Sequence, residues 1–127
     1  MQKSMGNRVS RPPAILLEWA KGISKNDPKY MTSFYSKKAV LLATYEPMAL
    51  GRKDIYEYFV EFVDRRNMTC EITTCVNQRD EQGIVVSSGF YIFTFEDDKG
   101  VQSVEARFTY VIKDDYIVTH HSSEMPD

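Results

Sequence analysis

After Met68 the chain changes texture, and that change limits the fold more than anything else in its 127 residues. Cys70, Ile72, Thr74 and Val76 alternate with Glu71 and Thr73, the period of a strand with one buried face. Asp80-Glu81-Gln82-Gly83 then predicts a turn into a long strand from Ile84 to Glu96. Asp97-Asp98-Lys99-Gly100 and Lys113-Asp114-Asp115 mark two further turns. Between them Val104, Ala106, Phe108, Tyr110 and Ile112 alternate with Ser103, Glu105, Arg107 and Thr109, and Tyr116 to Ser123 forms a last strand. Strands joined by turns this tight pair antiparallel, because a parallel pair needs a crossover of a dozen or more residues.

The first half reads differently. Ser10-Arg11-Pro12-Pro13 predicts a helix start, with Ser10 as cap and Ile15, Leu16, Trp19, Ala20 and Ile23 as its apolar stripe. Asn26-Asp27-Pro28 predicts a short second helix carrying Tyr30, Met31, Phe34 and Tyr35. Ala39 to Tyr45 has strand length, and Gly51-Arg52-Lys53-Asp54 breaks the chain before a third helix. That helix carries Ile55, Phe59, Phe62 and Val63 on one face and closes at Arg65-Arg66-Asn67, where cations favour the macrodipole. Helices first and a meander second give an α+β fold, with the helices on one face of a curved, mostly antiparallel sheet. Wrapped around a helix, such a sheet makes a cone with a cavity at its open end.

Residues 1–12 read as a flexible N-terminal arm and 13–127 as a single domain. Hydrophobic residues at 43% and charged residues at 27% exclude a disordered chain. A net charge of −2 argues against nucleic acid as partner, with Lys3, Arg8 and Arg11 the only local basic cluster. The longest apolar run near the start, Ala14 to Leu17, stops at Glu18, too short for a membrane span or an export signal, so the expected location is cytoplasmic. Cys70 and Cys75, at odd spacing on one strand, fall on opposite faces and cannot bridge each other. No spacing for a metal site or cofactor loop is visible, so none is expected.

Two segments resemble a known family. Tyr45-Glu46-Pro47-Met48-Ala49-Leu50-Gly51 resembles the Phe-Glu-Pro-Glu-Ala-Leu-Gly segment of the association (hub) domain of calcium/calmodulin-dependent protein kinase II. Ile117-Val118-Thr119-His120-His121-Ser122-Ser123-Glu124-Met125-Pro126 resembles that domain's ending, and more closely the His-His-Ser-Ser-x-Met-Pro ending of small stand-alone bacterial relatives. The resemblance runs from about Pro13 to Asp127 and implies the cone-shaped fold of the nuclear transport factor 2-like superfamily. It implies a free-standing version with no kinase segment. Hub domains assemble through their sheets, whereas other members of the superfamily are isomerases, dehydratases or cyclases acting inside the cavity.

The resemblance aligns Arg107 with an arginine that lines the hub cavity, while further cavity arginines are replaced here by Phe93 and Ser122. Alternation places Arg107 with Glu105 and Thr109; pairing with Glu105, or solvation, is its plainer role. Tyr91, Phe93 and Phe95 share one face, as cavity lining or as ordinary core. His120 and His121 point to opposite faces, and parity with Arg107 and Phe93 turns His120 toward the cavity with Ser122. There it acts as a base or as a hydrogen-bonded structural residue. Tyr45 and Glu46 stand at the mouth. With Phe108 and Tyr110 on the face opposite Tyr91, the sheet is apolar on both sides and needs a partner on one.

The expected function is therefore a self-associating domain, at least a homodimer, joined through the face of Phe108, Tyr110 and His121. Its cavity, lined by Arg107, Glu105, Tyr91, Phe93, His120, Ser122 and Tyr45, is expected to bind a small polar or carboxylate ligand without identified catalytic residues. The alternative is a cavity enzyme doing acid–base chemistry on a small hydrophobic substrate.

Overall fold

The computed structural model describes residues 10–126. Helix α1 (Ala14–Gly22) runs into a single 3-10 turn at Ile23–Lys25, and α2 (Pro28–Thr32) follows. Strands β1 (Tyr35–Leu42) and β2 (Ala49–Leu50) precede α3 (Gly51–Phe62). The meander comprises β3 (Arg66–Arg79), β4 (Val85–Asp97), β5 (Gly100–Lys113) and β6 (Tyr116–Glu124). Six strands form one curved sheet in the order β2-β1-β6-β5-β4-β3, antiparallel except where β1 runs parallel to β6. The expected α+β architecture is present, with the two-residue β2 as an addition.

Local chemistry explains most boundaries. Asp27 caps α2, accepting from the Tyr30 N–H at 3.0 Å, with Pro28 in the first turn. At α3 the Leu50 N–H donates to Asp54 Oδ2 at 3.0 Å. Asp114 and Asp115 both take left-handed φ (53° and 65°), as a two-residue hairpin turn between β5 and β6 requires. The expected cap at Ser10 is not made. Helix α1 begins at Ala14 without a side-chain cap, and the Ser10 N–H donates instead to the Cys75 carbonyl at 2.6 Å. Asn77 Nδ2 likewise donates to the Arg11 carbonyl at 2.9 Å, so this part of the expected arm lies against β3; Lys3 and Arg8 fall outside the described residues. Helix α3 stops at Phe62, so Arg65 lies in the link to β3, and Arg66 and Asn67 belong to the strand.

Register decides which face each side chain serves. The β4–β5 hairpin pairs Asp97 with Gly100, so Tyr91 sits opposite Ala106 and Phe93 opposite Val104. Ala106, Phe108, Tyr110 and Ile112 therefore share the helix-covered face with Tyr91 and Phe93, and all six are buried. This overturns the expected interface role of Phe108 and Tyr110: they are core. Arg107 and Glu105 are exposed on the opposite face, so neither enters the cavity as expected.

The two cysteines are corrected as well. The β3–β4 register shifts between Ile72 and Thr74, and this bulge turns Cys75 inward while Cys70 already packs against the core. Both face the helices, as free thiols. Burial, with a smaller contribution from Glu71, pushes the Cys70 thiol up to about 12. Among the described residues no helix is long and apolar enough to cross a membrane.

Candidate functional site

The centre of the core is Trp19, whose indole meets the rings of Phe59, Tyr91, Phe93, Tyr110 and His120 at centroid distances of 5.5–6.4 Å. From it a line of hydrogen bonds crosses four elements. Trp19 Nε1 donates to the Tyr35 hydroxyl at 3.0 Å, and that hydroxyl lies 2.8 Å from His120 Nδ1. His120 Nε2 is 3.2 Å from the Tyr91 hydroxyl, which donates to Ser122 Oγ at 2.6 Å. The ring of Tyr110 stacks on His120 at 4.0 Å, with its hydroxyl buried and unpartnered among the described residues.

His120 reaches this line only because β6 is irregular. The β5–β6 register shifts between Val111 and Ile112, which brings His120 opposite Tyr110 and leaves His121 exposed on the outer face. Burial, and secondarily the neighbouring His121, lowers the His120 pKa to about 3. The imidazole is therefore neutral at physiological pH, with both nitrogens engaged. Burial likewise raises the pKa values of Tyr35 and Tyr91 well above the ordinary 10, keeping both as O–H donors.

Above this polar floor opens a cavity of about 340 Å³. Its floor is Trp19, Tyr91, His120 and Ser122, and its walls are Tyr58, Phe59, Phe62, Phe93 and Phe95. Tyr45, Glu46, Glu61, Arg65 and Glu124 stand at its exposed rim. The Arg65 guanidinium lies over Phe62 at 5.2 Å and over Phe95 at 5.1 Å, within cation–π range of both rings. Thr44 also reaches the cavity, but its hydroxyl donates to the Ser122 carbonyl at 3.1 Å and accepts from the Glu124 N–H at 2.8 Å.

Of the seven residues expected around a ligand, Tyr91, Phe93, His120, Ser122 and Tyr45 line this cavity, and Arg107 and Glu105 do not. Arg107 instead borders a shallow groove on the other side of the sheet with Thr109, His121 and Ser123. Trp19, Tyr35 and Arg65 were not expected at the site. The helical stripe marks Trp19 as core without revealing its indole N–H as a functional end. Nothing in the spacing distinguishes Arg65 from a cation closing a helix.

A helix-filled cone with an aromatic cavity at its open end is the architecture of the nuclear transport factor 2-like fold. A superfamily protein of that description from Salmonella enterica serovar Typhimurium superposes with a TM-score of 0.74 at 16% identity, covering 99% of this chain and 91% of its own. A ketosteroid isomerase-like protein from Catenulispora acidiphila, solved with trimethylamine, gives 0.70 at 14% identity, covering 88% and 85%. A Xanthomonas campestris protein assigned to the calcium/calmodulin dependent protein kinase II association domain gives 0.81 at 28% identity, covering 90% and 85%. Residues 13–126 match the calcium/calmodulin dependent protein kinase II association domain, and the chain belongs to that family. Among curated proteins no sequence matches significantly.

Proposed function

We propose that this chain is a self-associating domain whose cavity holds a small ligand without converting it. The observation that carries the reading is the cavity itself: an aromatic chamber of about 340 Å³ over a floor whose buried polar groups are already paired. Ligand sites have this composition, mostly apolar with a few convergent polar atoms. A catalytic base is the missing part. His120 is neutral with both nitrogens engaged, and the carboxylates of Glu46, Glu61 and Glu124 stand on the exposed rim.

Self-association is supported by membership of an association-domain family and by the outer sheet face. There Val86, Phe90, Ile92 and Val111 form a half-buried apolar stripe on β4 and β5, beside exposed Arg107 and Glu105. An isologous contact would cover the stripe and set opposite charges across the two-fold axis. About 800 Å² per partner is the usual scale of a stable interface. Sedimentation at micromolar concentration should give at least twice the 14.7 kDa of one chain. Phe90→Asp should dissociate the assembly with the circular dichroism unchanged, whereas Phe108→Asp, in the core, should unfold it. A monomeric wild type would sink this half of the proposal.

The second reading is an enzyme of the kind suggested by the ketosteroid isomerase-like neighbours, with the Tyr91 hydroxyl as proton donor, through Ser122, toward a small hydrophobic substrate. Its specific support is the short Tyr91–Ser122 contact at the cavity floor. Turnover that survives Glu46→Gln, Glu61→Gln and Glu124→Gln but not Tyr91→Phe would favour it over simple binding.

A further inference from the structure

We infer that the cavity selects neutral hydrogen-bond acceptors, a ketone or similar carbonyl carried on an apolar ring body, through the hydroxyl of Ser122. This rests on the cavity reading above and goes further, because the direction of the hydrogen-bond line is fixed at its far end. An indole N–H donates and cannot accept. Once Trp19 donates to the Tyr35 oxygen, the Tyr35 proton has one acceptor within reach, His120 Nδ1 at 2.8 Å. His120, being neutral, then carries its proton on Nε2 and donates to Tyr91 at 3.2 Å. Tyr91 passes its own proton to Ser122 Oγ at 2.6 Å, which leaves the Ser122 hydrogen to point into the cavity. Reversing the line leaves the buried Tyr35 hydrogen without an acceptor, and unpaired polar groups in a buried site are expensive.

Charge narrows the ligand class. The charged groups of the cavity, Glu46, Glu61, Glu124 and Arg65, are all exposed at the rim, three carboxylates to one guanidinium. At the floor neither a carboxylate nor an ammonium meets an opposite charge, and a charge taken out of water without a partner is costly. Of the other hydroxyls lining the cavity, Thr44 is committed to backbone partners, Tyr58 belongs to the wall and Tyr45 to the exposed rim. Ser122 is thus the floor hydroxyl that the hydrogen-bond line orients. A neutral acceptor on a planar body satisfies Ser122 and lies against Tyr58, Phe59, Phe62, Phe93 and Phe95.

The test uses four probes with one ring system: 2-acetylnaphthalene, its hydrocarbon analogue 2-ethylnaphthalene, 2-naphthoate and 2-(aminomethyl)naphthalene. Each is titrated against the full chain by quenching of Trp19, its single tryptophan. The ketone should bind roughly five- to tenfold tighter than the hydrocarbon, the net worth of one hydrogen bond. Ser122→Ala should erase that gap and leave the hydrocarbon's affinity unchanged. Nitrogen NMR of the wild type should show His120 as the Nε2–H tautomer, a readout that needs neither ligand nor variant. Equal binding of ketone and hydrocarbon, tighter binding of the naphthoate or the amine, or an Nδ1–H tautomer would each overturn the inference. Failure of all four probes to bind would instead remove the cavity reading, and this inference with it.

Discussion

Gly89→Ala is expected to cost about 3 kcal/mol or more, a large share of the ~5–15 kcal/mol that holds a domain together. Gly89 lies on β4 opposite Cys75, beside the β3 bulge. A Cβ there would stand 1.8 Å from the Thr74 carbonyl oxygen, 2.7 Å from its carbon and 3.0 Å from Cys75 Cα. All three are backbone atoms, so no side-chain rotation relieves the clash. Relief requires β3 to move away, which undoes the bulge that turns Cys75 inward. In urea the midpoint should fall by roughly 1–3 M at unchanged slope. Gly83→Ala is the control: its φ of +87° is strained for alanine but nothing lies within 4 Å, so only a backbone cost of about 1–2 kcal/mol applies. Equal losses in the two variants would show that close approach at the bulge is not what Gly89 provides.

That bulge also marks where the sequence stops being readable. Element order and hairpin turns follow from local chemistry: proline and capping residues at helix starts, Asp and Gly where φ must be positive. The face of each strand does not, because a slip of one residue exchanges the two faces. For β4 and β5 the information was present, but in the turn. A two-residue loop between Asp97 and Gly100 makes odd positions of β4 face with even positions of β5, which sends Phe108 inward with Tyr91 and Arg107 outward. Alternation within each strand says nothing of this relation, and the alignment of Arg107 with a cavity arginine pointed the other way.

For β3 and β6 the information was absent. The bulges after Ile72 and near Val118 depend on how neighbouring strands fit the curved core, and no turn residue announces either. His120 faces inward by virtue of the second bulge, so its expected orientation agreed with the structure although the parity with Arg107 behind it did not. The aromatic content was a truer guide. With 8 Tyr and 7 Phe against a single Trp, the chain was bound to bury hydroxyls, and most buried hydroxyls are hydrogen-bonded, Tyr110 being the exception among the described residues. Which partners they found, Trp19 to Tyr35 to His120 to Tyr91, spans residues 16 to 85 positions apart and belongs to the tertiary structure alone.

The same buried imidazole makes stability depend on pH below about 6.5, and in the upper part of that window few other groups titrate. An unfolded histidine takes up a proton near pH 6.5, whereas His120 in the folded protein resists it down to about 3. Between these values the unfolded chain binds one more proton than the native one, so stability falls as pH falls and is fully present above pH 6.5. The slope is about 1.4 kcal/mol per pH unit, and over the whole window the loss reaches roughly 5 kcal/mol. Between pH 6.5 and 5 most carboxylates are still ionised in both states, so urea denaturation there reads the histidine contribution almost alone, with a loss of roughly 2 kcal/mol. His120→Asn keeps a donor and an acceptor in the line but removes the titration, and its stability should vary little over that interval. An unchanged slope in the variant would mean that His120 is not the group whose protonation the fold resists. A steep slope confined to the wild type would tie the neutral, directional state of the cavity floor to the folding energy itself, since one proton on His120 Nδ1 displaces the Tyr35 hydrogen bond.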